Sequence, residues 1–509
     1  VMFTVGEMLR NRADFSPHLE AVVYGDERIT YRELNRRVNR LAHFMMELDV
    51  QKGDRIAILC STNHPFATVL LAAAKLGAVA VPLNWRLGLE EIQQVMEHSE
   101  PKLLFFDEEF SETADELESC EFLERMVRVS IDQKLNPPFV QALLEYPDTE
   151  PDVQVDSEDQ LALTYTSGTT GKPKGVITTH ANFHAFGVAA SLTLDVRRGD
   201  RFLISTPLFR TNGLSAMVNA LLLGGTVVFM PDFHPVRVWE VVERERITHL
   251  LSLPGMLGYM LPAAMNGDWD TGSMREFICG GPVPEELIRQ YSSLGFPIVQ
   301  MYGASEVTGG ITFWNPGMGI STCHSAGKRL LGEIKVVDPT SGGEVPPGEI
   351  GEILYRGPQV TPGYWKDPEE TARAIRDGWF HTGDAGRLEE DGLLYVVDRC
   401  GDLIYCNEEL VLPTEVEKVL AEMEGVAEVT VIGVKDPEKG EVPRAYVVRE
   451  ENSSLTEEDV LRYGRERLAE HQLTEVAFVD ELPRNSLGLI TKYILREQAD
   501  RMKTVDVVE

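Results

Sequence analysis

Apolar positions along this chain fall into two periods that alternate with one another. Leu34, Val38, Leu41, Met45 and Leu48 recur at steps of three and four, which predicts an amphipathic helix over 34–48. Gly53-Asp54 then turns the chain into 55–60, a short apolar run suited to a buried strand. Residues 67–83 are almost continuously apolar, but Lys75 and Pro82 interrupt them. That run is too short to span a bilayer, and it reads as a buried helix followed by a strand at 78–82. The rhythm returns with a strand at 202–205, a helix near 214–223, and a strand at 226–230 after Gly224-Gly225. Helices alternating with strands through short turns predict layered α/β subdomains around largely parallel sheets.

From about Gly332 the texture changes. Short strands at 333–337, 352–355 and 393–397 are separated by Ser341-Gly342-Gly343, Pro346-Pro347-Gly348 and Asp391-Gly392, which predicts a compact β subdomain. After Asp398-Arg399 come a helix near 413–423, a strand at 428–434 and a helix at 456–469. They predict a small α+β domain of roughly 100 residues, an ordinary domain size. The expected fold class is therefore α/β, with a large N-terminal domain, 1–398, and a small C-terminal domain, 399–509. A chain of 509 residues is too long for one ordinary core, which agrees with that division.

Composition narrows the function. The chain is 43% hydrophobic and 25% charged, as folded proteins are. Its 81 acidic residues outnumber 48 basic ones, for a net charge of −33. Such a field repels nucleic acid and anionic membrane, so neither is an expected partner. The first residues lack the basic start and apolar run of a signal peptide. Six scattered cysteines form no CxxC pair and match no zinc spacing. The expectation is a cytoplasmic protein with reduced thiols; a homodimer is left open.

One small basic island stands out against this acidic background. After the apolar run 161–165 come Thr166, Ser167, Gly168, Thr169, Thr170, Gly171, Lys172, Pro173, Lys174 and Gly175. Glycines let backbone N–H groups approach phosphate oxygens, hydroxyls donate further bonds, and lysines supply charge. The Walker A pattern fails, because only two residues separate Gly168 from Gly171 and Pro173 follows Lys172. A GxSxG serine elbow is absent too, since Gly303-Ala304-Ser305 continues into Glu306-Val307. His180 and His184 have metal-ligand spacing, but no third ligand lies near them in sequence; a helix start is the expected reading.

The run 165–175 resembles the phosphate loop of the adenylate-forming superfamily of acyl- and aryl-CoA synthetases, peptide-synthetase adenylation domains and beetle luciferases. Thr30-Tyr31-Arg32-Glu33-Leu34 and the segments 77–84 and 357–365 are similar to the family as well. So are Tyr302-Gly303-Ala304-Ser305-Glu306, Trp379-Phe380-His381-Thr382-Gly383-Asp384 and Asp398-Arg399. The resemblance covers essentially the whole chain and implies that the small C-terminal domain is mobile.

It also implies a reaction. A carboxylate attacks the α-phosphate of Mg-ATP, and the acyl-adenylate then passes its acyl group to coenzyme A. By position, Thr166, Ser167, Gly168, Thr169, Thr170 and Lys174 would hold the β- and γ-phosphates. Tyr302, followed by Gly303, would stack on adenine, with Gly280, Gly281 and Pro282 as the other wall. Ser305 would contact the α-phosphate, and Glu306 would hold Mg²⁺, a hard cation that prefers oxygen ligands. Asp384 would accept the ribose hydroxyls with Arg399 assisting.

Departures from the family cluster where chemistry is expected. The family's C-terminal Pro-Arg-Asn-x-x-Gly-Lys reads Pro483-Arg484-Asn485-Ser486-Leu487-Gly488-Leu489, so its lysine is replaced by Leu489. The hinge position is Gly401, and Cys406-Asn407-Glu408-Glu409 stands where a glycine turn usually lines the pantetheine path. The common Pro-Leu-Phe-His reads Pro207-Leu208-Phe209-Arg210. Arg210 could pair with a second anionic group on the substrate or replace the missing lysine charge. Phe183, Arg210, Asn212 and Met301 are candidates for shaping the acid pocket. Two alternatives stay beside the CoA ligase: adenylation with another acceptor, and a nucleotide-binding pseudoenzyme.

Overall fold

Nine strands make the largest sheet. In spatial order they are Lys328–Arg329, Gly309–Trp314, Ile298–Ala304, Glu276–Gly280, His249–Ser252, Arg201–Ile204, Thr226–Phe229, Glu20–Tyr24 and Glu27–Thr30. The six central strands run parallel, and antiparallel pairs close both edges. Central strands such as His249–Ser252 and Thr226–Phe229 are buried at every position, as parallel strands covered on both faces must be. A second sheet orders Arg125–Arg128, Leu103–Phe106, Arg55–Leu59, Val79–Pro82, Gln160–Ser167 and Pro173–Thr179. It is parallel except for its last pair. The computed structural model describes residues 3–130, 138–167, 173–407, 409–436, 439–469, 472–484 and 490–506.

The helices form where the apolar period places them. Tyr31–Glu47 is capped by Thr30, whose hydroxyl accepts the Glu33 N–H, and it buries Leu34, Val38, Leu41 and Met45. His64–Leu76 is buried along its whole length and ends at Gly77, whose φ of 64° needs a residue without a Cβ. One core joins these helices to both sheets, taking Ile56 and Ile58 from one and Val22 and Ile29 from the other.

The chain divides into two units: 1–334, 355–380 and 391–394 form the first, and 335–354, 381–390 and 395–509 the second. The second holds the sheet Glu409–Val411, Ile404–Cys406, Gly440–Arg449, Val426–Asp436, with Glu475–Phe478 beside Gly440–Arg449. Pro413–Ala421 and Glu457–Arg465 contribute to its own core. The helix predicted over 456–469 ends at Arg465, because the N–H groups of Arg467 and Leu468 both turn back onto the Gly464 carbonyl. All six cysteines are free thiols. Among the described residues, no helix is long and apolar enough to cross a membrane.

His180 opens the His180–Thr193 helix behind the Thr179 cap, as the sequence leads one to expect. Its ring is fully buried, and Nδ1 accepts the Val5 N–H at 3.1 Å. Burial pushes its pKa down to about 4, so the neutral ring is the folded form. A base whose folded pKa lies below its unfolded value contributes stability above pH 6.5 that is lost as pH falls toward 4. The loss is at most about 3 kcal/mol at 1.36 kcal/mol per pKa unit. Urea unfolding at pH 7 and pH 4.5 is expected to show it, with a smaller difference in His180→Gln. An equal difference in the variant would count against this origin.

Candidate functional site

The strands on either side of the candidate phosphate loop pair with each other. Gln160–Ser167 pairs antiparallel with Pro173–Thr179, which sets Thr166 opposite Lys174 and Ser167 opposite Pro173. Gly168, Thr169 and Thr170 lie outside the described residues. Lys174 extends its ammonium to Glu370, Nζ to Oε1 at 2.5 Å, and lies 5.8 Å from the centre of the Tyr364 ring. Glu370 stands in the first turn of Pro368–Ala374, where it also pairs with Arg373. A phosphate arriving at Lys174 therefore meets a lysine already held by a carboxylate.

The segment before that helix ties the hairpin to the candidate magnesium ligand. Trp365 donates its N–H to Gly175 at 2.8 Å, and Ile177 donates to Gly363 at 3.1 Å, so this stretch lies beside Pro173–Thr179. The Thr361 N–H bonds the Glu306 carbonyl at 2.7 Å. The Tyr364 hydroxyl then donates to Glu306 Oε1 at 2.9 Å. Burial first, and the adjacent Glu306 carboxylate second, push the Tyr364 phenol well up, which keeps it a donor. Among the described residues no cation pairs with Glu306. A half-buried carboxylate with oxygen lone pairs to spare suits Mg²⁺, which keeps waters and takes one or two carboxylates beside substrate phosphates.

The adenine candidates lie at strand ends. Gly280 ends Glu276–Gly280 and is in register with Met301 on the parallel strand Ile298–Ala304, so Gly281, Pro282 and Tyr302 emerge side by side. Crevices outside the carboxyl ends of parallel strands are where α/β sheets bind ligands. Gly303 is required there, since a Cβ would stand 1.7 Å from the Gly309 carbonyl oxygen. Ser305 follows, and its hydroxyl accepts from Thr211 at 2.7 Å. Thr211 begins Thr211–Leu222, so the positive end of that helix dipole is held against Ser305.

Beyond this point lies a small apolar cavity of about 30 Å³. His180–Thr193, Thr211–Leu222 and the nine-stranded sheet supply its walls, including Phe186, Phe202, Phe313 and Met301. Asn212 lines it and Phe183, though fully buried, does not. Arg210 is not among the lining residues either. Its side chain is half-buried at the start of Thr211–Leu222, and its backbone N–H bonds Pro207 at 3.2 Å. Among the described residues no carboxylate pairs with it. Burial lowers its pKa, and the only charge contributing is another cation, Arg86.

In the second unit, Asp384 pairs with Arg399. The Asp384 N–H bonds the Thr382 hydroxyl at 3.0 Å, which holds the carboxylate's backbone in place. Gly401 lies in the short turn Cys400–Asp402, and Asn407 has a φ of 52°. Glu408 and 485–489 lie outside the described residues. Thr211, Tyr364 and Glu370 are residues that sequence reasoning missed. Tyr364 was legible as part of the family-like segment 357–365, but nothing local pointed it at Glu306.

The sequence model described as "AMP-binding enzyme" matches residues 9–365, and "AMP-binding enzyme C-terminal domain" matches 415–489. A long-chain-fatty-acid–CoA ligase of Mycobacterium tuberculosis is 35% identical over 512 residues, with 98% of this chain and 99% of that protein covered. A feruloyl-CoA synthase of an Amycolatopsis species is 38% identical over 493 residues, covering 96% and 97%. The solved structure of O-succinylbenzoate coenzyme A synthetase from Bacillus subtilis, in complex with ATP and magnesium ion, superposes with a TM-score of 0.83. It is 32% identical and covers 97% of this chain and 99% of its own.

Proposed function

We propose, on the premise that the chain belongs to the AMP-binding enzyme family, that it activates a carboxylic acid with Mg-ATP and passes the acyl group to coenzyme A. The observation that supports this reading is the linked set Lys174, Tyr364 and Glu306, with Ser305 next to Glu306 in the chain and bonded by Thr211. In the first step a carboxylate oxygen bonds to the α-phosphorus and pyrophosphate leaves. In the second, the coenzyme A thiolate attacks the acyl carbon and AMP leaves. The first step joins two anions, so its catalysis is positioning and charge neutralisation.

Each residue's part follows. Thr166, Ser167 and Lys174 hold the outer phosphates, Lys174 exchanging Glu370 for phosphate oxygen. Tyr302 and Gly280-Gly281-Pro282 bracket adenine, and Ser305, aligned by Thr211, bonds the α-phosphate. Glu306 would hold Mg²⁺, whose charge offsets that of the phosphates. Arg210, beside Thr211 and without an anionic partner among the described residues, supplies positive charge where carboxylate and α-phosphate meet.

A second reading, adenylation without thioester formation, is favoured by Gly401 at the hinge position and by Asn407 and the acidic run at 408–409. Pyrophosphate release measured with and without coenzyme A, across a panel of acids, separates the two. Thioester formation supports the first, pyrophosphate alone the second, and ATP binding without release contradicts both. Leu489→Lys is expected to raise adenylation on the order of 10²-fold, the usual worth of one charged transition-state contact. No change would mean that another cation already fills that role.

A further inference from the structure

Glu370 places a carboxylate where a phosphate-binding edge has use for positive charge. Its Oε1 lies 2.5 Å from the Lys174 ammonium, and the Glu370 and Lys174 side chains are 13% and 18% exposed. A carboxylate with so little access to water keeps hold of its cation. Arg373, three residues further on, pairs with the other oxygen of the same carboxylate. Glu370 therefore retains a counter-ion when Lys174 turns elsewhere, and the contact can open without stranding a bare charge.

Both ends of the pair stand on fixed backbone. Lys174 lies opposite Thr166 in the paired strands, and the Trp365 N–H bonds the carbonyl of the next residue, Gly175, at 2.8 Å. Glu370 donates its N–H to Asp367 Oδ1 at 2.9 Å. The Thr371 hydroxyl donates to the Asp367 carbonyl at 2.7 Å and accepts the Tyr364 N–H at 2.9 Å. Tyr364 thus ties Pro368–Ala374 to the edge, with its ring near Lys174 and its hydroxyl on Glu306. A contact built on rigid elements is ready to re-form whenever Lys174 is free.

We propose that Glu370 is a competitor built into the site, which weakens the hold on the outer phosphates and so lets pyrophosphate leave. An ammonium is a compact charge with three donors, so a phosphate oxygen can replace Oε1 without any movement of the backbone. ATP must displace the carboxylate to engage Lys174, and the carboxylate reclaims Lys174 as pyrophosphate departs. AMP has no outer phosphate and is untouched by this exchange. The inference rests on the reading of Lys174 as a ligand of the outer phosphates.

Calorimetric binding of Mg-ATP, magnesium pyrophosphate and AMP to the full chain, with no acid present, tests it. Glu370→Gln is expected to bind ATP and pyrophosphate about three- to tenfold more tightly than the wild type, the scale of one partly buried ion pair. AMP binding is expected to stay within about twofold, and Glu370→Ala to act in the same direction. A structural role predicts the opposite sign, since a loosened site binds no ligand better. In a Lys174→Met background the gain from Glu370→Gln is expected to vanish. A gain that persists there assigns the effect to plain repulsion between Glu370 and phosphate, and overturns the proposal. Unchanged or weaker ATP and pyrophosphate binding in both Glu370 variants overturns it too, as does an equal gain for AMP. Wild-type binding of all three ligands without a gain in the variants defeats this inference alone, whereas no nucleotide binding by the wild type defeats the reading of the site with it.

Discussion

Glu306→Gln is expected to lower acid-dependent pyrophosphate release on the order of 10²–10³-fold, the loss usual for one charge-stabilising contact at a transition state. Glutamine keeps the shape of the side chain and still accepts the Tyr364 hydroxyl, which now reaches Glu306 Oε1 at 2.9 Å. Folding is therefore preserved, and only the charge that would hold Mg²⁺ is removed. Tyr364→Phe is the control: it leaves the charge and removes the bond that orients it. A loss of about fivefold is expected there, matching roughly 1 kcal/mol for one hydrogen bond. Rates across a magnesium series decide the matter. A Glu306→Gln enzyme with wild-type rates at every magnesium concentration would remove this residue from the reaction.

Arg210→Ala carries the second large effect. Its guanidinium is half-buried, has no carboxylate partner among the described residues, and its one charged neighbour is Arg86. Two cations held near each other without an anion are a place where an anion is stabilised. Arg210 directly precedes Thr211, which bonds Ser305, and it does not line the apolar cavity. The expected result is a loss on the order of 10²-fold in pyrophosphate release that is equal for mono- and dicarboxylic acids. A loss confined to dicarboxylic acids would instead place Arg210 against the substrate's second carboxylate. Arg210→Lys separates charge from geometry: partial recovery assigns the role to charge, and none assigns it to the planar fork.

Much of the fold was legible because the signals that made it are local. The period of Leu34, Val38, Leu41 and Met45 is the buried face of Tyr31–Glu47. The apolar run before Gly77, interrupted by Lys75, is a helix buried on every side. Short runs such as 55–60 and 226–230 became parallel strands of buried residues. The helix predicted over 456–469 was overextended, because Gly464 ends it in a turn that its polar neighbours do not announce.

The candidate site was legible in its parts and not in its pairings. Composition and motif order marked Lys174, Tyr302, Ser305 and Glu306. Nothing along the chain could match Lys174 with Glu370, 196 residues away, or Ser305 with Thr211, 94 residues away. The sequence by itself determined the fold class, most of the elements and the family. Helix and strand periods, turn residues and loop chemistry act over a few neighbouring positions, so a linear reading recovers them. Tertiary structure alone decided which side chains meet and which stay without partners. That depends on strand order and helix packing, which bring together residues that the chain keeps far apart.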